Sequence, residues 1–164
     1  MIVVDNCIIS SLSKIKCLEL LKYYNDIRTS DGVVQEAFKS EIDIIIKPLS
    51  EALTKWIKVV HLDLPQEIPL IQEKHPYLSF VDCELILLCK ENDAVLFSDD
   101  SHLMEVAESE FGIETYDLCD IILSLKNGGK LNQEQIDRMI VDLRKKDHYK
   151  FSNDDLSLLN AQIS

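Results

Sequence analysis

Short β-branched runs separated by helical patterns, with no hairpin turn between them, constrain this fold more than any other feature. The runs cover residues 1–4, 59–62, 94–98 and 113–116. Strands that follow one another through helices are joined by parallel βαβ crossovers. The sequence therefore predicts an α/β fold, a three-layer α/β/α sandwich around a small central parallel sheet. Functional side chains are expected where the carboxyl ends of the strands meet.

Helices are predicted from apolar residues at helical spacing and from residues that favour helix ends. Ser79 and Asp82 form a capping-box pattern, Gly112 is typical of a helix end, and Pro48 fits a first helical turn. The predicted helices cover residues 8–24, 31–38, 48–56, 66–74, 80–90, 103–110, 118–127, 132–146 and 153–162.

Composition and length place the chain among ordinary globular proteins. Its 164 residues make one domain, and 46% of them are apolar while 28% are charged. The sequence has no stretch long and apolar enough to span a membrane, and its start does not resemble a secretory signal. We therefore expect a cytoplasmic protein with no membrane partner. The five cysteines, an odd number without a CxxC pair, are expected to be buried free thiols.

Charge is distributed unevenly along the chain. The net charge is -12, from 29 acidic and 17 basic residues, which argues against binding nucleic acid through bulk attraction. Residues 126–150 nevertheless hold 7 of the lysines and arginines. Within this cluster, Arg144, Lys145 and Lys146 are expected to be a solvated helix end that complements the helix dipole. Contact of these three residues with RNA is the alternative.

Acidic residues from four distant segments are expected to converge. Asp5 closes the first predicted strand, and Asp99 and Asp100 close a later one. Asp82 lies in the first turn of the helix before that later strand, and Glu36 lies on an earlier helix. Converging carboxylates repel one another unless a cation joins them. All-oxygen ligands suit Mg²⁺ or Mn²⁺, and such an ion can activate water against a phosphodiester.

Each of these acids also has a purely structural interpretation. Asp5 fits a turn at the end of a strand or a helix cap. Asp82 fits a capping-box acid, which the pattern Ser79-Phe80-Val81-Asp82 alone would explain. Glu36 fits a solvated helix residue, and Asp99-Asp100 fits a cap for the next helix. Periodicity leaves these alternatives open.

Four ordered segments resemble a PIN domain of the VapC-like ribonuclease kind, from a poorly characterised prokaryotic branch. They are Val3-Val4-Asp5-Asn6-Cys7-Ile8-Ile9, Ser30-Asp31-Gly32-Val33-Val34-Gln35-Glu36-Ala37, residues 79–88 and residues 95–103. The resemblance covers residues 1–128 as the nuclease domain. Residues 129–164 are expected to form a C-terminal helical extension of the same domain.

The resemblance implies a hydrolase, a Mg²⁺- or Mn²⁺-dependent ribonuclease. The fourth acid of the pattern follows a Ser or Thr by two positions, which selects Asp100 after Ser98, with Asp99 as the other candidate. Ser98 would orient ligands or water, and Asn6 would be a polar neighbour. The implied catalytic and metal-binding acids are Asp5, Glu36, Asp82, Asp99 and Asp100.

Several partners are expected from the resemblance and from the late helices. RNA is the expected substrate, and an antitoxin protein is the expected partner if the chain is the toxin of a toxin–antitoxin pair. A catalytically weak or inactive module that binds nucleic acid or protein is the alternative function. His102 is interpreted as a surface or capping residue rather than a phosphate contact. A homodimer is expected from the apolar residues Met139, Ile140, Leu143, Leu156, Leu158, Leu159 and Ile163. The alternative is that these late helices pack back onto the sheet of the same chain.

Overall fold

The computed structural model describes residues 1–63 and 66–161. Five strands carry the labels β1 to β5, and a 3₁₀ helix covers Leu18–Tyr23. The strands are β1 Ile2–Val4, β2 Ile27–Ser30, β3 Lys58–Val60, β4 Val95–Phe97 and β5 Thr115–Tyr116. The helices are α1 Asn6–Lys14, α2 Asp31–Lys39, α3 Asp43–Lys55, α4 Glu67–Lys74, α5 Phe80–Asn92, α6 Ser101–Phe111, α7 Leu118–Asn127, α8 Gln133–Lys146 and α9 Asn153–Leu158.

The five strands form one parallel sheet in the order β3-β2-β1-β4-β5. This confirms the predicted α/β fold with a central parallel sheet. The chain order reverses between β1 and β4, where Val4 is in register with Phe97. In open parallel sheets the crevice at such a reversal, beyond the carboxyl ends of the strands, is the usual ligand site. Asp5 and Ser98 are the residues that follow β1 and β4 at this point.

Helix α5 has more buried residues than any other helix in the described part of the chain. Six of its residues are buried, including Leu85, Leu87 and Leu88, and the helix contacts β1, β2 and β4. Full burial of one such side chain stabilises the fold by about 1.5–3 kcal/mol. The capping box at its start is present as predicted, because Ser79 and Asp82 bond each other's backbone amides. A well-packed helix with a fixed start therefore carries Asp82.

The inner strand β2 was missed in the sequence. Only Ile27 of its four residues is a typical buried strand residue, whereas Arg28 pairs with Asp26 and the Thr29 hydroxyl donates to the carbonyl of Val4. Polar side chains that are satisfied by tertiary contacts conceal this strand from a pattern based on hydrophobicity. β2 lies between β1 and β3 and carries the chain directly into α2.

The prediction of one helix over residues 8–24 was wrong. α1 ends at Lys14, Lys16 adopts a left-handed conformation with φ 61°, and the 3₁₀ helix follows. The amide of Cys17 donates to the carbonyl of Leu12 across this turn at 2.7 Å. The apolar spacing continues through the turn because both segments pack against the same core, so spacing alone did not reveal the break.

Other boundaries differ by a turn or less, except at α3 and α9. Pro48 lies inside α3, which begins at Asp43 rather than at the proline. α9 begins after the predicted Ser152 cap but ends at Leu158, and residue 162 of the predicted helix lies outside the described residues. Gly112 ends α6 at φ 64°, as predicted. Within the described ranges, no helix has the length and apolarity needed to cross a membrane.

The C-terminal helices pack back onto the rest of the chain. Met139, Ile140, Leu143 and Leu159 are buried, and the Lys126 ammonium donates to the Leu159 carbonyl at 2.8 Å. Of the other apolar residues that favoured a dimer, Leu158 is exposed, Leu156 is partly buried, and Ile163 lies outside the described residues. Most of this apolar surface is therefore used within one chain.

Candidate active site

Asp5 is buried where β1 ends and α1 begins. The residue is 7% exposed, and its Oδ1 accepts from the Asn6 amide at 2.5 Å. Its Oδ2 accepts from the Ser98 hydroxyl at 2.8 Å and from the Cys7 thiol at 3.0 Å. Burial raises the pKa of Asp5, these donors lower it, and the nearby Asp82 carboxylate raises it further. Asp5 is thus both the N-cap of α1 and a carboxylate held without a cationic partner in the described part of the chain.

Asp82 and Glu36 lie close enough to Asp5 to repel it. Burial raises the pKa of Glu36 most, followed by the charges of Asp5 and Asp82. Glu36 is exposed on α2, whereas Asp82 is half-buried in the first turn of α5. The Asp82 Oδ2 accepts from the Ser79 amide at 2.7 Å. The capping interpretation of Asp82 is therefore correct, and it coexists with a position beside the other two acids.

The neighbouring acids Asp99 and Asp100 have different environments. The Asp99 Oδ1 accepts from the Leu118 amide and from the Tyr149 hydroxyl, both at 2.9 Å. Its Oδ2 is buried without a hydrogen-bond partner, and burial raises the pKa of Asp99 to about 6. Asp100 is exposed, and its Oδ1 caps α6 by accepting from the amides of His102 and Leu103. Asp99 thus anchors two distant segments, while Asp100 faces solvent.

Ser98 and Cys7 connect the two strand ends. The Ser98 hydroxyl is fully buried; it donates to Asp5 and accepts from the Asp100 amide at 3.1 Å. The Cys7 sulfur accepts from the Asp99 amide at 3.1 Å while its thiol donates to Asp5. Burial, followed by the charge of Asp5, raises the pKa of Cys7 well above its usual value. The thiol therefore stays protonated and remains a donor.

Two sequence interpretations of the polar neighbours need refinement. Cys7 and Cys17 are only partly buried, in contrast to the expectation for all five cysteines, whereas the other three are buried as predicted. Cys7 was missed as a functional neighbour, and its position two residues after Asp5 was the available signal. The amide of Asn6 bonds Asp5, but its side-chain Oδ1 is buried without a partner.

Glu84 is a further carboxylate near the site, and it was not among the acids selected from the sequence. Burial raises the pKa of Glu84, whereas hydrogen bonds from Ser30 and from the Gly32 backbone lower it. Its charge contributes to raising the pKa of Glu36. A Cβ on Gly32 would collide with this carboxylate and with Val81. The glycine therefore permits the close approach of α2 and α5, and it was the available sequence signal.

The basic run lies away from the acids. Arg144, Lys145 and Lys146 are exposed in the last turn of α8, and the Lys146 ammonium lies 3.0 Å from Asp142. The next residue, Asp147, contacts Lys14 at the end of α1. α1 is about 13 Å long at 1.5 Å per residue, and Asp5 caps its other end. The structure does not bring these bases to the carboxylates.

The donor chemistry of the acidic cluster fits a hard divalent cation. Burial and repulsion between neighbouring carboxylates raise the pKa of both Asp5 and Glu36. A bound cation would relieve that cost. Across residues 1–63 and 66–161, however, no group of three or more His, Cys, Asp or Glu side chains is arranged to hold a metal ion. Asp82 and Asp100 instead bond backbone amides at helix starts. Three-ligand binding would thus require side chains to rearrange.

Comparison with known proteins agrees with this architecture. A family model described as a PIN domain matches residues 1–157. The fold is similar to that of a PilT N-terminus domain protein from the archaeon Sulfolobus solfataricus P2, with 21% sequence identity over 75% of this chain and 91% of that chain. The TM-score of this pair is 0.57, and the likeness concerns the fold alone. No curated protein matches the sequence.

Proposed function

The chain belongs to the PIN-domain family, and from this premise we propose that it is a metal-dependent ribonuclease. PIN domains are generally nucleases and typically use divalent metal ions. The observation that carries the proposal is the buried Asp5 carboxylate at the reversal of the sheet, with the acids Glu36 and Asp82 beside it. Hydrolysis of RNA phosphodiester bonds is the reaction that this acidic edge supports best.

Asp5, Glu36 and Asp82 would hold Mg²⁺ or Mn²⁺, and Asp100 is assigned as the fourth acid. When bound, such an ion binds phosphate oxygens and lowers the pKa of water. Ser98 and Cys7 fix the Asp5 carboxylate by donating to one of its oxygens. Asp99 is assigned a positioning role, because its Oδ1 already accepts from Leu118 and Tyr149.

Cleavage of a 5′-labelled single-stranded RNA tests this proposal. We expect products with Mn²⁺ or Mg²⁺, none with a chelator, and none from the Asp5→Asn variant purified in parallel. Equal cleavage by the wild type and Asp5→Asn would point to a contaminating nuclease and contradict the assignment. Calorimetric titration with Mn²⁺ measures the metal site independently of activity.

The cap contacts favour a second candidate function, a PIN-fold binding module with weak or no catalysis. Asp82 and Asp100 each accept backbone hydrogen bonds at a helix start, so both carboxylates stabilise the fold as helix caps. A module of this kind would show no calorimetric Mn²⁺ binding at the Asp5 edge and no metal-dependent cleavage. Binding of Mn²⁺ that is lost in Asp5→Asn would reject it.

The resemblance to VapC-like ribonucleases also suggests a role for the protein in the cell. The chain would act in the cytoplasm as the toxin of a toxin–antitoxin pair, with an antitoxin protein and a second copy of itself as partners. Induced expression should arrest growth, and expression of Asp5→Asn to the same level should not. Growth that continues with the active enzyme would remove the toxin role while leaving the nuclease proposal intact.

A further inference from the structure

Two exposed rings contact each other beside the acidic edge. Tyr77, in the loop before α5, is 56% exposed, and His102, in the first turn of α6, is also exposed. Their ring centroids are 5.0 Å apart with an interplanar angle of 50°. Phe80, the first residue of α5, is a further exposed ring at 54%. Exposed aromatic side chains that are grouped in this way are typical of binding surfaces rather than of scattered surface residues.

Tyr77 is held in place although it faces solvent. Its hydroxyl lies 3.1 Å from the Nδ1 of His75, and the His75 Nε2 lies 3.0 Å from the Glu110 carboxylate. The His75 side chain is only 12% exposed. Lys74 donates to the same Glu110 at 2.7 Å. The tyrosine ring is therefore oriented before any ligand arrives, which lowers the entropy cost of binding.

The same elements position two of the candidate catalytic acids. The backbone amide of His102 donates to Asp100 at 2.9 Å. Ser79, two residues after Tyr77, exchanges hydrogen bonds with Asp82 at 2.7 and 3.0 Å. Because the rings and the acids share these short segments, a strand bound at the acids is within reach of the rings.

Base stacking suits this surface better than charge attraction does. The chain carries a net charge of -12, and the basic run Arg144–Lys146 is not at this edge. Stacking on an aromatic ring is worth about 1–3 kcal/mol per base and does not depend on sequence, because each base has a π face. A base must be unpaired and unstacked to reach a side chain in this way.

We propose that the Tyr77–His102 pair is a stacking site for an unpaired base of RNA bound at the acidic edge. This inference rests on the proposed ribonuclease function and adds a binding subsite to it. The site holds the strand by one or more bases next to the bond that is cleaved. The pair thereby offsets the weak attraction of an acidic protein for phosphate.

Quenching of 2-aminopurine tests the stacking directly. A single-stranded 12-nucleotide RNA with 2-aminopurine near its centre is titrated with protein in Ca²⁺, which replaces Mn²⁺ to slow cleavage. We expect quenching by the wild type and by Tyr77→Phe. Tyr77→Leu and His102→Leu should weaken binding about 5-fold to 150-fold, the range that 1–3 kcal/mol predicts, and should raise KM more than they lower kcat in Mn²⁺. In duplex RNA the same base is already stacked and quenched, and addition of protein should cause no further change in its fluorescence.

Tyr23→Leu is the matched control. Tyr23 is 54% exposed and lies at the end of the 3₁₀ helix, where its ring contacts Lys130 rather than Tyr77 or His102, so its loss should change neither quenching nor KM. Thermal melting of each variant checks the fold, and Mn²⁺ calorimetry checks metal binding by the acids.

Unchanged quenching in Tyr77→Leu and His102→Leu would overturn the stacking site while wild-type cleavage persists. If these variants keep RNA affinity but lose binding to a protein partner, the surface serves protein instead. Absence of both metal binding and cleavage in the wild type would reject both proposals together.

Discussion

An aspartate lies against each end of helix α1, and the two carboxylates have different partners. Asp147, at the end of α1 near Lys14, accepts from the Lys14 ammonium and the Ser11 hydroxyl, both at 2.5 Å. Its side chain is 11% exposed. Asp5, at the start of the helix, accepts only from uncharged donors and faces Asp82. One carboxylate is neutralised within the chain, whereas the other is surrounded by further acids.

The difference shows how burial separates structural from functional acids. A buried ion pair loses much if one partner is removed, because an uncompensated charge remains. A buried acid without a cation destabilises the folded protein when no ligand is bound. Acids of this kind are typical of functional sites. The Asp147 end of α1 is therefore expected to determine stability, and the Asp5 end to determine activity.

The largest expected effect is the loss of cleavage in Asp5→Asn. Changes to residues that only support a metal ligand typically cost 10–100-fold, so removal of a ligand itself should lower kcat/KM by at least about 100-fold. Stability should hold or rise at pH 7, because a buried charge is removed while the asparagine oxygen still accepts from the Asn6 amide. Urea unfolding and RNA cleavage of one preparation test both. A large loss of stability with retained activity would show that Asp5 is a structural acid and not a catalytic one.

The reciprocal change, Asp147→Asn, should lower the free energy of unfolding by about 1–3 kcal/mol. Lys14 would lose its charged partner, and the anchor between α1 and the chain after α8 would weaken. Cleavage per folded molecule should stay close to that of the wild type. Asp154→Asn, an exposed change on α9, is the control and should leave both quantities unchanged. Stability equal to that of the wild type would show that the ion pair contributes nothing net.

Asp99 should make the metal-free protein less stable as pH rises. Its pKa is about 6 in the folded state against an ordinary value of 3.8, so the folded state binds the proton more tightly. This contribution is fully present below about pH 4 and is lost as pH rises through about 6. Asp99→Asn keeps an acceptor for Leu118 and Tyr149, and should therefore be more stable than the wild type by about 2–3 kcal/mol at pH 7. Urea unfolding in a chelator from pH 4 to pH 7 measures the difference, which should be small at pH 4.

Local signals in the sequence specified most elements of the fold. The capping pair Ser79 and Asp82, the helix end at Gly112 and the apolar residues of β1 and β4 each depend on short-range chemistry, so the pattern predicted them. β2 and the break after α1 depend on tertiary contacts: the Thr29 hydroxyl bonds a carbonyl of β1, and Lys16 turns the chain so that Cys17 reaches Leu12. Contacts of this kind leave no periodic signal.

The acids of the candidate site and the neighbouring Ser98 were selected from the sequence, whereas the contacts made by Cys7 and Tyr149 were missed. Asp5 and Asp99 were selected because they end strands, and strand ends of a parallel sheet meet at one edge. The separate environments of Asp99 and Asp100 depend on Tyr149, which arrives from 50 residues away. Similarly, the thiol of Cys7 gains its role only when β4 brings the Asp99 amide to it. Sequence spacing does not encode these contacts.

Asp82→Asn distinguishes the two roles proposed for Asp82, which are helix cap and metal ligand. The asparagine oxygen can still accept from the Ser79 amide, but the charge that favours the helix start is lost, so stability should fall by at most about 0.5–1 kcal/mol. If Asp82 is also a ligand, Mn²⁺ affinity should fall as well. Ser79→Ala is the matched control, because it weakens the same cap and leaves the carboxylate in place. Calorimetry should therefore show weaker Mn²⁺ binding in Asp82→Asn only, and equal Mn²⁺ binding in both variants would leave Asp82 as a cap alone.

The smallest expected effect concerns the basic run near the Asp147 end. Changing Arg144, Lys145 and Lys146 together to Ala should weaken RNA binding about two- to fivefold across sequences without moving the cleavage position, as loss of phosphate contacts does. The effect is small because these side chains are exposed and lie beyond α1 from Asp5. The triple change of the exposed residues Lys47, Lys55 and Lys58 to Ala removes the same charge and is the control. An equal loss in that control would assign the effect to net charge, and a steep salt dependence of RNA binding in a chelator would show that bases, rather than the acidic edge, hold the substrate.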